Sequence, residues 1–234
     1  PAGVLPWERL ERDYRSWRDG GFWITGGLWF GFDVTHARVT GTEQMLMMLI
    51  DDPELCVDMF NHFLDVSIAL QDQVWEAGYT FDEVSWPDDL GYKYSQFMSM
   101  DMYRELLKPV HKRAVDWAHA KGCKVRLHSC GDIRPLIGDW VEIGIDAINP
   151  LEVKAGVDPV EVKRQWGDQL TLHGGINAVL WDHPDQIEAE MRQVIPALAQ
   201  GGGYIFASDH SIPDSVSLED FRRIIELYKE LGRA

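Results

Sequence analysis

The sequence contains little cysteine and little positive charge. Three cysteines among 234 residues, Cys56, Cys123 and Cys130, are spaced too widely to suggest a disulfide framework. Lys and Arg number 22 against 38 Asp and Glu, giving a net charge of −16, which disfavours nucleic acids and anionic membranes as partners. We therefore expect a protein of the reducing cytoplasm that binds neither nucleic acid nor membrane.

Long apolar runs and nucleotide-binding motifs are also absent. No stretch approaches 18 uninterrupted apolar residues, so no transmembrane helix is expected. The start, PAGVLPWERLERDYRSW, lacks the basic-then-apolar layout of a secretory signal. No GxGxxG or GxxxxGK[ST] follows a predicted strand. With 45% hydrophobic residues the chain can form a well-packed core, and we predict one domain over residues 1–234.

Hydrophobic periodicity predicts strands that alternate with helices. The predicted strands cover residues 22–28, 79–86, 123–129, 146–150, 169–175 and 203–209. A helical pattern follows each of them. In the helix over 53–78, Leu55, Met59 and Phe63 fall on one face. The Asp101–Ala120 helix should kink or break at Pro109, and another helix should start near Ile133. This order predicts a parallel α/β fold.

Two parallel architectures compete, the open doubly wound sheet and the (β/α)8 barrel. Polar, chemically useful side chains end nearly every predicted strand, and a barrel brings such residues to one face. We therefore predict a (β/α)8 TIM barrel. Because only six strands are found and the chain does not begin with Met, the first one or two β/α units are expected upstream of residue 1. A genuine six-stranded open sheet is the alternative.

The stretch HSCGD, residues 128–132, ends the third predicted strand. Side chains alternate along a strand, so His128 and Cys130 point the same way. An imidazole and a thiolate at this spacing can bind one Zn²⁺. The pair alone is more typical of a packed cysteine beside a hydrogen-bonded histidine.

A third predicted ligand strengthens the zinc interpretation. His210 falls at the same end of the last predicted strand, and two His with one Cys leave a fourth position open, as in catalytic zinc sites. Asp132 and Asp209 are candidate partners for the imidazoles. The candidates for binding substrate are Glu152, His173 and Asn149, and the first two are also candidates for the fourth position.

Asp88 and Asp89 follow the second predicted strand, in a loop where barrel active sites are built. One interpretation makes them a catalytic general acid or base, or a hydrogen-bonding group for the substrate. The other makes them turn-forming residues after Pro87. The sequence leaves both open.

Several stretches resemble the uroporphyrinogen decarboxylase superfamily, and more closely its cobalamin-dependent methyltransferase branch. They are WPDDLGYKYSQFMSMDMYRELLKP, HSCGDI, DAINPLEVKAGVDPVEVKRQWGDQLTLHGGIN and SDHSIPDSVSLEDFRRIIELYKE. The resemblance runs from about Phe22 to the C-terminus, and the four stretches occur in the same order.

The resemblance implies a (β/α)8 barrel that binds zinc through a His-x-Cys pair and a Cys near the C-terminus. His128 and Cys130 match the pair, whereas His210 stands where the second Cys is expected. The implied activity is methyl transfer between a small molecule and a corrinoid (cobalamin) carried by a partner protein. A site of two His and one Cys is more positive than one of one His and two Cys, so demethylation of a methoxylated or methylated compound is expected over methylation of a thiol.

Two other functions compete with methyl transfer. One is a metal-free decarboxylase of a porphyrin-like polycarboxylate with Asp88 or Asp89 as acid or base, although the acidic net charge counts against it. The other is a barrel that binds a ligand or partner without catalysis. The identity of the methyl donor and acceptor stays open, as does oligomeric state, a homo-oligomer being one possibility.

Overall fold

A computed structural model describes residues 5–232, which form two compact units. The first contains residues 5–88 and 98–127, and the second contains residues 89–97 and 128–232. Within the described range, no helix has both the length and the apolarity that a membrane span requires.

The elements alternate as predicted, with strand order following chain order in a six-stranded sheet. The strands are β1 Thr25–Gly27, β2 Glu83–Pro87, β3 Lys124–His128, β4 Ala147–Asn149, β5 Thr171–His173 and β6 Tyr204–Ile205. The α-helices are α1 Trp7–Asp19, α2 Gly31–Thr35, α3 Thr42–Asp51, α4 Pro53–Glu76, α5 Met100–Met102, α6 Lys108–Ala120, α7 Ile137–Ile143, α8 Pro159–Trp166, α9 Pro184–Ala199 and α10 Leu218–Leu231. The strands are shorter than predicted. Strand β1, for example, starts at Thr25, and Phe22 and Trp23 before it are exposed.

In the first unit, β1 pairs in parallel with β2, with Gly26 opposite Val84. Helix α4 begins where the Asp52 carboxylate accepts the Leu55 N–H, with Pro53 in the first turn. Its buried face is not the predicted one. The structure buries Cys56, Phe60 and Leu64, whereas Leu55 is 44% exposed. The periodicity was correct but the choice of face was wrong by one residue, because two apolar stripes run side by side on this helix.

The predicted break at Pro109 is confirmed. Residues Tyr103–Leu107 form a π-helical turn, and α6 begins directly after it with Pro109 in its first turn. Proline is tolerated there because its missing N–H needs no helical partner.

In the second unit, β4 pairs in parallel with β5, and β5 with β6. Helices α9 and α10 contribute to a buried apolar cluster. Its members are Ile176, Trp181, Ile187, Met191, Ile195, Ile224 and Leu227. Burial of this apolar surface is the main force that anchors both helices.

The predicted helix after HSCGD begins later than expected, at Ile137 rather than near Ile133. The Asp132 carboxylate accepts the Arg134 backbone N–H and pairs with the Arg134 guanidinium, at 2.8 Å to Nε. These contacts favour a turn over the first helical residues. Residues 129–136 therefore form an irregular segment between β3 and α7.

Candidate metal centre

The centre begins at the carboxyl end of β3. Val125 and Leu127 are buried, whereas Arg126 and His128 on the alternate face are half-buried. Cys130 follows two residues later, and its Sγ lies 3.5 Å from His128 Nε2. The structure thus brings together the imidazole and the thiol of the predicted pair.

Asp89 supplies a third ligand atom. Its Oδ1 lies 3.6 Å from His128 Nε2 and accepts the Cys130 backbone N–H at 2.8 Å. One ligand atom from each of Asp89, His128 and Cys130 lies within 4.8 Å of the others. Among residues 5–232, these three form the group of His, Cys, Asp and Glu side chains close enough to share one ion.

A short hairpin over residues 90–97 places Asp89 beside the turn. Ser129 Oγ accepts the Leu90 N–H at 3.0 Å, and the Tyr92 carbonyl accepts the Asp132 N–H at 2.9 Å. Gln96 Nε2 donates to the Asp132 carbonyl at 2.8 Å. These bonds fix the hairpin along residues 129–132, so the Asp89 carboxylate is held on the Cys130 side of the turn.

Two glycines allow the hairpin and the turn to approach so closely. A Cβ on Gly131 would collide with the Gly91 backbone, and one on Gly91 would collide with the Cys130 carbonyl. Gly131 also has φ of +81°, a conformation that other residues adopt only with strain. The local backbone at the centre therefore depends on both glycines.

Two of the three separations between the candidate ligand atoms match those expected around a tetrahedral zinc ion. Zn–N, Zn–O and Zn–S bonds of roughly 2.0–2.3 Å at tetrahedral angles place neighbouring ligand atoms about 3.4–3.6 Å apart. The observed separations are 3.5 Å from Cys130 Sγ to His128 Nε2 and 3.6 Å from Asp89 Oδ1 to the same nitrogen. Three protein ligands leave one coordination position for another molecule.

The electrostatics of the centre also favour a cation. Burial raises the pKa of the Cys130 thiol to about 12, with further contributions from the charges of Asp89 and Glu152. The positive charge of Lys154 opposes this rise. Without a bound cation the thiol is therefore protonated at neutral pH, whereas a divalent ion between these groups would stabilise the thiolate.

His128 is oriented by a residue that ends β4. Its Nδ1 lies 2.9 Å from Asn149 Oδ1, so the opposite nitrogen, Nε2, faces Cys130 and Asp89. The Asn149 backbone carbonyl also accepts the Ser129 N–H at 2.9 Å. The predicted imidazole partners were different, and the structure corrects them.

Asp132 and Asp209 were expected to support the imidazoles, but their carboxylates are bound elsewhere. Asp132 pairs with Arg134. Asp209 is fully buried and accepts the N–H groups of Val153 and Ala178 at 2.8 and 2.7 Å. The Asp132 carboxylate therefore binds within its own loop, the Asp209 carboxylate binds two other segments, and Asn149 contacts His128 Nδ1 instead.

The other predicted site residues lie in different surroundings. Asp88 is fully buried, 2.8 Å from His111 Nε2, and it also accepts the Asp33 N–H. Glu152 Oε2 accepts the Gly131 N–H at 2.7 Å. His173 is half-buried at the end of β5. His210 is exposed, and it is not in the group formed by Asp89, His128 and Cys130.

Sequence reasoning missed two features of the centre, namely Asp89 as a candidate ligand and Asn149 as the partner of His128. Asp89 was noted as a loop residue after β2, but the signal for its position lies in the hairpin contacts. A residue that ends β4 could have been tested against His128 at the end of β3, since the carboxyl ends of parallel strands lie at the same edge.

The chain matches a known protein family over most of its length. The sequence model described as Uroporphyrinogen decarboxylase (URO-D) matches residues 34–231. A uroporphyrinogen decarboxylase of Arthrobacter sp. is 25% identical over 188 residues, which cover 79% of this chain and 51% of that protein. One from Shewanella loihica is 28% identical over 144 residues, covering 58% and 38%. The chain thus spans about half the length, or less, of these curated relatives.

A solved structure gives the fold. A methyltransferase from Methanosarcina mazei superposes with a TM-score of 0.67 at 19% identity, covering 98% of this chain and 68% of that one. At this identity the likeness shows the fold and not the activity. It confirms the predicted class, the (β/α)8 barrel, to which residues 5–232 contribute six strands.

Proposed function

The chain belongs to the uroporphyrinogen decarboxylase family, and on that premise we propose that it takes part in zinc-dependent methyl transfer between a small molecule and a corrinoid protein. The observation that carries the proposal is the group formed by Asp89, His128 and Cys130, with ligand-atom separations of 3.5 and 3.6 Å. A half-buried thiol, an imidazole and a carboxylate at these separations are a donor set that zinc binds.

Each residue has a proposed role. His128 Nε2, Cys130 Sγ and Asp89 Oδ1 would hold the zinc. Once bound, zinc would supply Lewis acidity, which lowers the pKa of a substrate thiol or polarises a methoxy oxygen. Glu152 fixes the Gly131 turn through Oε2, and its Oε1, His173 and the Asn149 amide N–H groups are the candidates for contact with substrate.

The charge of the proposed zinc ligands affects which substrate is favoured. Two imidazoles and one thiolate would leave one of the two positive charges of zinc uncancelled, which was the reason to expect demethylation. With Asp89 in place of His210, one thiolate and one carboxylate cancel both charges. A less positive centre leaves a substrate thiolate more nucleophilic, so a thiol becomes the favoured methyl acceptor.

A direct assay tests this proposal. Transfer to a thiol forms a sulfur–carbon bond as the cobalt–carbon bond breaks, the electron pair stays on cobalt as Co(I), and the thiol proton passes to water. Methylcobalamin can serve as the donor and 2-mercaptoethanol as the acceptor, with cobalt absorbance as the readout. Zinc-loaded protein should accelerate loss of methylcobalamin, and Cys130→Ser should reduce the rate by about 100-fold or more.

Cys123→Ser provides the matched control. Cys123 is buried, and its Sγ donates to the Phe81 carbonyl, but it lies outside the centre. The control should change the rate less than about threefold. Equal rates for wild type and Cys130→Ser would contradict the proposed role of the centre.

The curated relatives favour a second candidate, since each of those compared is a uroporphyrinogen decarboxylase. Loss of carboxyl groups from uroporphyrinogen, followed by mass spectrometry, tests it. Turnover that needs no zinc and persists in Cys130→Ser would establish this candidate over methyl transfer. In that case Asp89, the half-exposed carboxylate, would be the acid or base to examine first.

A further inference from the structure

The two ring nitrogens of His128 face different partners. Nε2 faces Cys130 Sγ at 3.5 Å and Asp89 Oδ1 at 3.6 Å, whereas Nδ1 faces Asn149 Oδ1 at 2.9 Å. We infer that Asn149 is a positioning residue that holds His128 as the Nδ1–H tautomer, so that the Nε2 lone pair is available to a metal ion. The metal part of this inference rests on the proposed function, but the tautomer is a property of the metal-free protein.

The chemistry of the contact fixes the proton. An amide oxygen accepts hydrogen bonds and cannot donate, so the hydrogen bond to Asn149 Oδ1 requires a proton on His128 Nδ1. A neutral imidazole carries a single ring N–H, which leaves Nε2 unprotonated. A metal ligand needs such a nitrogen, and a hydrogen bond at the other nitrogen orients the ring.

The Asn149 backbone supports the same arrangement. Its carbonyl accepts the N–H of Ser129, the residue between His128 and Cys130, at 2.9 Å. Ser129 is itself buried and bonded to the Leu90 N–H. Removing the Asn149 side chain would keep this backbone bond, so a truncated variant should lose the contact with the ring and keep the turn.

The nearby carboxylates are bound to other groups. Asp132 pairs with Arg134, Asp209 accepts two backbone N–H groups, and Glu152 Oε2 accepts the Gly131 N–H. An amide at position 149 also adds no charge, so the proposed ligand set keeps its formal neutrality when zinc is bound. Asn149→Asp would keep the acceptor and add one negative charge.

The first test is made without metal. Nitrogen-15 NMR of labelled histidine in zinc-free protein, at about pH 8.5 where an ordinary imidazole is neutral, separates protonated from unprotonated ring nitrogens. The signals that disappear in His128→Gln identify His128. Wild type and Asn149→Asp should show a protonated Nδ1 and an unprotonated Nε2, and Asn149→Ala should lose this preference. A protonated Nε2 in the wild type, or an unchanged tautomer in Asn149→Ala, would overturn the inference.

The second test measures zinc affinity by competition with a chromophoric chelator. Asn149→Ala should bind zinc about 10- to 100-fold more weakly than wild type, and Asn149→Asp should bind within about threefold. Asn177→Ala removes an asparagine that caps Val179 in the same unit and lies outside the centre, and it should match wild type. Equal affinities for wild type and Asn149→Ala, or equal losses in Asn149→Ala and Asn177→Ala, would contradict the assignment.

The two tests separate two kinds of failure. If the wild type binds no zinc, the proposed function fails, and the NMR result still decides whether Asn149 fixes the tautomer. If zinc binds but the tautomer does not depend on Asn149, the inference fails while the proposed function stands.

Discussion

Two neighbouring aspartates each contact a histidine, and the two pairs differ in almost every respect. In the first unit, Asp88 Oδ2 lies 2.8 Å from His111 Nε2, and both side chains are 0% exposed. In the second unit, Asp89 Oδ1 lies 3.6 Å from His128 Nε2, and the side chains are 38% and 37% exposed.

The groups around each pair account for the difference. Both side chains of the buried pair have further hydrogen-bond partners, because Tyr103 OH lies 3.2 Å from His111 Nδ1 and Asp88 Oδ1 accepts the Asp33 N–H. At the half-exposed pair, His128 Nε2 also faces the Cys130 thiol at 3.5 Å, and the pKa of this thiol is raised. Burial with complete hydrogen bonding indicates a structural role. Partly exposed side chains whose polar atoms lie close together, but farther apart than an ordinary hydrogen bond, indicate a binding site.

Breaking the buried pair should have the largest effect on stability. His111→Ala leaves the Asp88 carboxylate buried without its partner, which typically costs about 3–5 kcal/mol. We expect a loss of this size in the free energy of unfolding, measured by urea denaturation, while the folded fraction still binds zinc.

His183→Ala is the matched control for this variant. His183 Nε2 lies 3.6 Å from Asp182, but the His183 side chain is 54% exposed. Its removal should cost less than about 0.5 kcal/mol. Similar losses in the two variants would mean that burial does not distinguish the pairs.

Breaking the half-exposed pair should act through zinc. Zinc at 100 times its dissociation constant should raise the free energy of unfolding of the wild type by about 2.7 kcal/mol. His128→Ala should lose this increment and keep the zinc-free stability to within about 1 kcal/mol. A zinc increment that survives in His128→Ala would remove His128 from the ligand set.

The close approach of the Gly91 and Gly131 backbones can be tested separately. Gly131→Ala places a Cβ against the Gly91 backbone, whereas Gly201 has a similar φ of +75° with nothing within 4 Å of an added Cβ. Overpacking at Gly131 should therefore cost about 1–3 kcal/mol more than Gly201→Ala in urea denaturation. Only the variant at Gly131 should weaken zinc binding. Equal losses of zinc affinity in the two variants would show that the close approach of Gly91 and Gly131 does not shape the centre.

The smallest expected effect is on thiol reactivity. Below its pKa of about 12, the Cys130 thiol reacts slowly, and the thiolate fraction rises about tenfold for each pH unit. Burial and the Asp89 charge raise this pKa, so Asp89→Asn should lower it and speed alkylation of zinc-free protein at pH 8 by up to about tenfold. Mass spectrometry of alkylated peptides measures the rate.

Asp132→Asn is the control for thiol reactivity, because the Asp132 carboxylate is neutralised by Arg134 and does not act on Cys130. It should leave the alkylation rate unchanged. An equal acceleration in both variants would point to a general loosening of the hairpin rather than to the charge of Asp89.

Local sequence patterns predicted the order of strands and helices and two of the three residues of the centre, His128 and Cys130. The alternation of β3 puts His128 and Cys130 on one side, and proline at position 109 marks the start of α6. The (β/α)8 barrel was inferred from strand ends and resemblance, and the solved structure supports that class.

The remaining features depend on contacts distant in sequence. Asp89 and Cys130 are 41 residues apart, and Asn149 and His128 are 21 apart. The pairing of Asp88 with His111 is likewise set by tertiary packing. Periodicity could not choose between two adjacent apolar stripes on α4, since this choice depends on what packs against the helix.

The central claim is that Asp89, His128 and Cys130 form a zinc site. Elemental mass spectrometry of zinc per chain tests it most directly, on wild type, Asp89→Ala, His128→Ala, Cys130→Ser and His210→Ala. We expect about one zinc per chain in the wild type, little in His128→Ala and Cys130→Ser, and less than wild type in Asp89→Ala. Loss in His210→Ala would add His210 to the ligands. No zinc in carefully prepared wild type, or full zinc in both His128→Ala and Cys130→Ser, would show that these residues do not form a zinc site.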